Sequence, residues 1–150
     1  MADVVDPATR SRMMSGIRGK NTKPELIVRK ALHARGFRYR LHCKLPGKPD
    51  LCLPKYGAVV FVHGCFWHGH DCHLFKWPST RPEFWREKIA RNRTVDAAAY
   101  EQLQTQEWRV ATVWECALKG RTRLQLEEVV QRLEGWLRSD VASLEIEGTR

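Results

Sequence analysis

The chain has 150 residues, enough for one domain with a real core, and carries a formal net charge of +9 from 26 basic and 17 acidic residues. That excess favours a polyanionic partner, although basic domains without one are common. No apolar run approaches the roughly 20 residues that span a bilayer, and residues 1–7 lack the basic and apolar regions of a secretory signal, so the expectation is a cytoplasmic protein away from membranes.

Asp6-Pro7 reads as an N-cap and first-turn proline, opening a short basic helix to about Gly19 that carries Met13, Met14 and Ile17. Thr22-Lys23-Pro24-Glu25 has the capping-box pattern and opens a helix through Leu26, Ile27, Ala31 and Leu32 that stops at Gly36. Residues 37–41 alternate apolar and basic, as a half-buried strand does. Residues 45–49 form a turn, 50–53 a short strand, 54–57 another turn, and 58–63 a buried strand running back. Thr80-Arg81-Pro82-Glu83 is a second capping box, heading a long helix to about Gln106. Residues 108–114 read as a strand with Glu115-Cys116 at its exit. An amphipathic helix covers 123–138 through Leu124, Leu126, Val129, Val130, Leu133 and Leu137. Strands mixed with flanking helices, with no repeat and no linker, predict a single α/β domain at 21–138, preceded by a basic N-terminal arm at 1–20 and followed by a frayed tail at 139–150.

The densest chemistry lies in residues 59–72, where an apolar run ends in His63, Cys65, Phe66, Trp67, His68, His70 and Cys72. Cys65, His70 and Cys72 have Cys-x4-His-x-Cys spacing, and Cys116 follows a later strand. Together they offer the Cys3His set of a tetrahedral structural Zn²⁺. A glycine-interrupted, histidine-rich loop has little apolar mass to hold its shape, and a metal would fix it; buried thiols at Cys65 and Cys116 are the alternative. Five cysteines is an odd count, which suits metal ligation of a subset better than a closed disulfide framework. Cys43 and Cys52 are read as ordinary thiols.

Asp50 starts one strand, and the neighbouring strand ends beside His63 and His68. A carboxylate there is a reasonable seat for Mg²⁺, with His68 as general base toward water. The alternatives are a turn-capping Asp50 and a zinc-ligating or solvent-facing His68. Phe66, Trp67 and Trp85 stand where aromatics could wedge between base pairs, whereas Trp108, Trp114 and Trp136 read as core and Trp77 is undecided. Arg10, Arg12, Arg18 and Lys20 suit phosphate contacts.

Pro-Gly-Lys-Pro-Asp, Val-Phe-Val-His-Gly-Cys-Phe-Trp-His-Gly-His-Asp-Cys, Thr-Arg-Pro-Glu-Phe-Trp-Arg-Glu-Lys-Ile and Trp-Arg-Val-Ala-Thr-Val-Trp-Glu-Cys-Ala-Leu resemble the very-short-patch repair (Vsr-type) mismatch endonucleases, from the first residues to about Trp136. The resemblance implies a restriction-endonuclease-like α/β fold, a mixed sheet flanked by helices, with a structural zinc. It implies Mg²⁺-dependent nicking 5′ of the thymine in T·G mismatches left by deaminated 5-methylcytosine, in a bacterial cytoplasm. By motif position, Asp50 and the Val62 main-chain oxygen would hold Mg²⁺, His68 would be catalytic, and His63 and Asp96 would support it. Glu25 would reach the metal-bound water, although a plain capping role suits it too. Phe66, Trp67 and Trp85 would intercalate. Met14, Ile17, Lys88 and Asn92 would contact the bases around the mismatch; a solvated helix face is the alternative for Lys88 and Asn92. The implied partners are mismatched double-stranded DNA, mismatch-repair proteins and, functionally, a DNA cytosine methyltransferase. A monomer fits an asymmetric lesion. A catalytically silent zinc-stabilised DNA-binding module, or a nuclease of the same fold with another lesion specificity, are the competing functions.

Overall fold

A computed structural model describes residues 21–149. Strands β1 (Arg40–Leu41), β2 (Leu51–Leu53), β3 (Ala58–His63), β4 (Arg109–Trp114) and β5 (Ser143–Ile146) form one sheet in that spatial order. The first three pair antiparallel, and β3–β4 and β4–β5 pair parallel. The change follows the connections. Short turns return the chain between β1, β2 and β3, whereas α2 (Pro82–Thr105) separates β3 from β4 and α3 (Leu126–Leu137) separates β4 from β5. Helix α1 (Lys23–Ala34) precedes the sheet.

Alternation along the strands divides the interior into two layers. Leu51, Leu53, Val60, Val62, Ala111, Val113 and Ile146 face one side, where Val28 and Leu32 of α1 and Val129, Val130, Leu133 and Leu137 of α3 cover them. Cys52, Val59, Phe61 and Val110 face the other, against Leu103 of α2. Helices on both faces explain why β3 reads as an unbroken apolar run.

Several sequence expectations change at their edges. The strand read at 37–41 contracts to Arg40–Leu41, because Phe37 turns into the core just after α1, at 3% exposure. The capping box read at Thr80–Glu83 does not form. Arg81 is the N-cap, in a left-handed conformation (φ 52°), with no side-chain cap bond. At α1, Thr22 Oγ1 does accept from Glu25 N at 3.4 Å, but the glutamate reaches back to the amide of Asn21, not to that of the cap residue. The last helix begins at Leu126 rather than Arg123, because the Leu124 amide is held by the Ala117 carbonyl.

The largest correction concerns 139–150. Residues Ser143–Ile146 form an edge strand parallel to β4, with Ile146 fully buried. Leu144-Glu145-Ile146-Glu147 does carry the strand period, over too few residues to stand out from a tail. The predicted arm, with Met14, Ile17 and the basic residues beside them, lies outside the described residues. Among the described residues, no helix is long and apolar enough to cross a membrane.

Candidate active site and metal centre

A cleft of about 910 Å³ opens where α1 begins and β3 ends, lined by His42, Asp50, Val62, His63, His68 and Asp96 among others. Leu51 pairs with Val60, which carries Asp50, one residue earlier, toward Val62. Its Oδ2 accepts from Val62 N at 2.6 Å. Burial pushes the Asp50 carboxyl up to about 7; the Val62 amide opposes this and the charge of Glu25 adds to it. Glu25 is completely buried, and accepts from Asn21 N at 3.1 Å, Arg29 Nη1 at 3.0 Å and His42 Nε2 at 2.9 Å. Candidate ligand atoms of Glu25, His42 and Asp50 lie within 4.8 Å of one another. Two carboxylates this close repel unless a proton or a cation lies between them, and their oxygens suit a hard divalent ion.

His68 faces the same cleft from the loop after β3. Its Nδ1 lies 2.5 Å from Asp96 Oδ2 on α2. The carboxylate accepts, so Nδ1 carries a proton, and in the neutral ring the lone pair is then on Nε2. The His63 ring stacks on that of His68, with centroids 3.8 Å apart and planes at 6°. Burial, helped by His68, holds His63 down to about 3, so it is neutral at ordinary pH. Its Nδ1 is buried without a partner. His63 is therefore a flat neutral platform that fixes the plane of His68, and Asp96 fixes its tautomer.

The second centre lies behind the first. Ligand atoms of Cys65, His70, Cys72 and Cys116 lie within 4.8 Å of one another, and this cluster could hold a metal ion. Cys65 Sγ accepts from Cys116 N, and Cys116 Sγ from Gly148 N, both at 3.3 Å. Amides aimed at sulfur stabilise thiolates, the form a metal binds. Burial pushes the Cys65 and Cys116 thiols up. His70 turns Nδ1 toward Cys116 Sγ at 3.7 Å and Nε2 toward Glu147 Oε1 at 3.3 Å, the pattern in which a carboxylate orients a ligating imidazole. A Cβ on Gly148 would meet Cys116 O at 2.5 Å, so only glycine brings that amide so close.

Gly69 separates the histidines of the two centres. At φ 64° it turns the loop against α2, where a Cβ would meet Ile89 at 2.7 Å. His68 can thus go to Asp96 while His70 goes to the cysteines. Trp114 joins them: it stacks on His70 with centroids 4.2 Å apart, and meets His63 edge-on at 5.3 Å.

Beside the cleft, Phe66 packs on Trp67 and Trp85 with centroids 5.1 and 5.3 Å apart, and on Phe75 at 5.7 Å. Trp77 meets Phe75 edge-on at 4.8 Å and is 52% exposed. Asn92 Nδ2 donates to Trp67 O at 2.8 Å, tying the aromatic loop to α2; Lys88 stands one turn earlier, half-buried. Sequence reasoning missed His42, Trp114, Phe75, Glu147 and Gly148. Trp114 was read as core, yet its ring lies between the two histidine sites. Cys52 is core as read, with Cys43 packed against it.

The family model for the DNA mismatch endonuclease Vsr matches residues 2–74. The DNA mismatch endonuclease Vsr of Escherichia coli (strain K12) is 46% identical over 98% of this chain and 95% of its own. The type II nicking enzyme V.XorIIP of Xanthomonas oryzae pv. oryzae is 47% identical, over 83% of this chain and 93% of its own. V.NmeAIP of Neisseria meningitidis, also a type II nicking enzyme, is 42% identical over 89% and 98%.

Proposed function

The chain belongs to the DNA mismatch endonuclease Vsr family, and from that premise we propose that it nicks double-stranded DNA 5′ of the thymine in a T·G mismatch, with Mg²⁺, as the first step of very-short-patch repair. The observation that carries this is the convergence of ligand atoms of Glu25, His42 and Asp50 within 4.8 Å of one another, beside a cleft that Asp50 and His68 line, with the His68 ring held by Asp96.

In this reading Asp50 and the main-chain oxygen of Val62 would hold Mg²⁺, with Glu25 beside them. When bound, the ion would supply charge to the scissile phosphate and lower the pKa of water. His68 Nε2 takes a proton from the attacking water as its oxygen bonds to phosphorus; the P–O3′ bond breaks, the 3′ oxygen leaves and takes a proton from solvent, and the imidazolium is stabilised by Asp96 through Nδ1. His63 stays neutral beneath it, so it adds no like charge. Phe66, Trp67 and Trp85 wedge into the base stack, where a mismatched step is cheaper to open. Lys88 and Asn92 approach the bases with Met14 and Ile17, and Asn92 also steadies the wedge through Trp67. The cysteine–histidine centre takes Zn²⁺, with all four positions filled by protein, as suits a structural site. The mixed sheet between helices fits the restriction-endonuclease-like fold.

The test is cleavage of end-labelled duplexes that differ only in a T·G or T·A pair, in several flanking contexts, with Mg²⁺ or chelator. One nick beside the thymine, only with T·G and Mg²⁺, is expected. Binding without a nick in every context would favour a silent module, and cutting of both duplexes a less selective nuclease.

A further inference from the structure

His42 is the group at the cleft that the sequence did not single out. It follows β1 in a left-handed conformation (φ 49°), uncommon for any residue but glycine. Its amide donates to Asp50 O at 3.1 Å, extending the β1–β2 ladder by one pair. Its ring then crosses to α1, where Nε2 lies 2.9 Å from Glu25 Oε2. One residue thus touches both acids of the cleft, through main chain to Asp50 and through side chain to Glu25.

Glu25's other two donors, Asn21 N and Arg29 Nη1, come from its own helix and the residue before its cap. They set its rotamer from within α1, whereas His42 and the Asp50 carboxyl reach it from the sheet side, beside the apolar packing of Val28 and Leu32. The pair is buried, with side-chain exposures of 16% for His42 and 0% for Glu25. It is therefore unlike surface ion pairs, which contribute little. With Nε2 turned to the Glu25 carboxylate, His42 faces the acid and not a metal.

We propose that His42 is a positioning residue of the cation site, holding the Glu25 carboxylate against the Asp50 strand so that both acids address one divalent ion. The proposal rests on the nuclease reading for its purpose, but cation binding tests it directly.

The backbone conformation of His42 allows clean variants. Asn and Gly both tolerate positive φ, and neither side chain reaches Glu25. Gln keeps a long amide donor. Mn²⁺ binding to the full-length protein is followed by electron paramagnetic resonance, with melting and T·G duplex affinity measured in chelator. H42N and H42G should bind Mn²⁺ roughly 10–100-fold more weakly, as when outer-shell partners are removed. Both should melt somewhat lower, since the buried Glu25 loses a donor, yet bind duplex in chelator close to wild type, and H42Q should recover most of the loss in Mn²⁺ affinity. Unchanged Mn²⁺ affinity in H42N and H42G would overturn the proposal, as would no recovery in H42Q. So would nitrogen coupling between His42 and bound Mn²⁺, which would make it a ligand. A wild type that binds Mn²⁺ but cuts no duplex would sink the nuclease reading alone.

Discussion

Asp50, His63, His68 and Asp96 show how burial assigns roles to side chains of ordinary chemistry. Asp50, with its carboxyl pushed up to about 7, stays protonated in the metal-free fold where an unfolded chain is already ionised. Between pH 4 and 7 the native state thus binds more protons, and this group's contribution to stability falls as pH rises. His63, held down to about 3, works oppositely: the unfolded state binds more protons below about 6.5, so its contribution rises with pH. Asp50→Asn removes only the first effect. In chelator, its stability relative to wild type should climb between pH 4 and 7, by on the order of 2–4 kcal/mol, and then level off. Denaturant melts across that range measure it, and a flat difference would put Asp50 in a solvated setting. Asp96→Asn no longer fixes the His68 tautomer and should slow nicking on the order of 100-fold while T·G binding is kept; single-turnover kinetics separate the two.

At the scale of elements, β5 and the loop after β3 determine the metal centre. β5 adds Ile146 to the larger core and delivers Glu147 to His70 and the Gly148 amide to Cys116. Deleting residues 143–150 should therefore remove metal as well as apolar packing. We expect loss of bound zinc by atomic absorption and a strongly lowered melting temperature, since structural zinc contributes on the order of 10 kcal/mol to small domains. A shortened chain that kept its metal would reduce β5 to a packing element. Gly69→Ala should harm both centres at once: the added Cβ meets Ile89 in a left-handed turn, and the loop cannot shift without moving His68 and His70 together. Nicking and zinc content should fall in parallel.

For the whole molecule, the proposed function gives the net charge of +9 and the aromatic cluster separate tasks, affinity and selectivity. Phosphate contacts make binding salt-dependent without reading sequence, whereas a wedge gains from a weakened base step. Trp67→Ala should lower the preference for T·G over T·A about 10-fold or more, while the slope of log K against log salt stays as in wild type. Fluorescence titrations of both duplexes at several salt concentrations measure both quantities. Equal losses on the two duplexes would count against wedging.

The sequence by itself determined the buried β3 run, the α1 cap at Thr22, the grouping of Cys65, His70, Cys72 and Cys116, and the presence of Asp50 and His68 near one another. Those follow from local rules: period, capping chemistry and ligand type at short spacing. Tertiary structure alone decided what His42, Trp114 and the last residues do. His42 works through a partner 17 positions earlier in the chain. Trp114 looks like one more apolar residue until the parallel β3–β4 register places it beside His63. Gly148 matters only because β5 runs parallel to β4 and brings its amide to Cys116. Sheet register and helix crossover, which no local period encodes, brought these groups together.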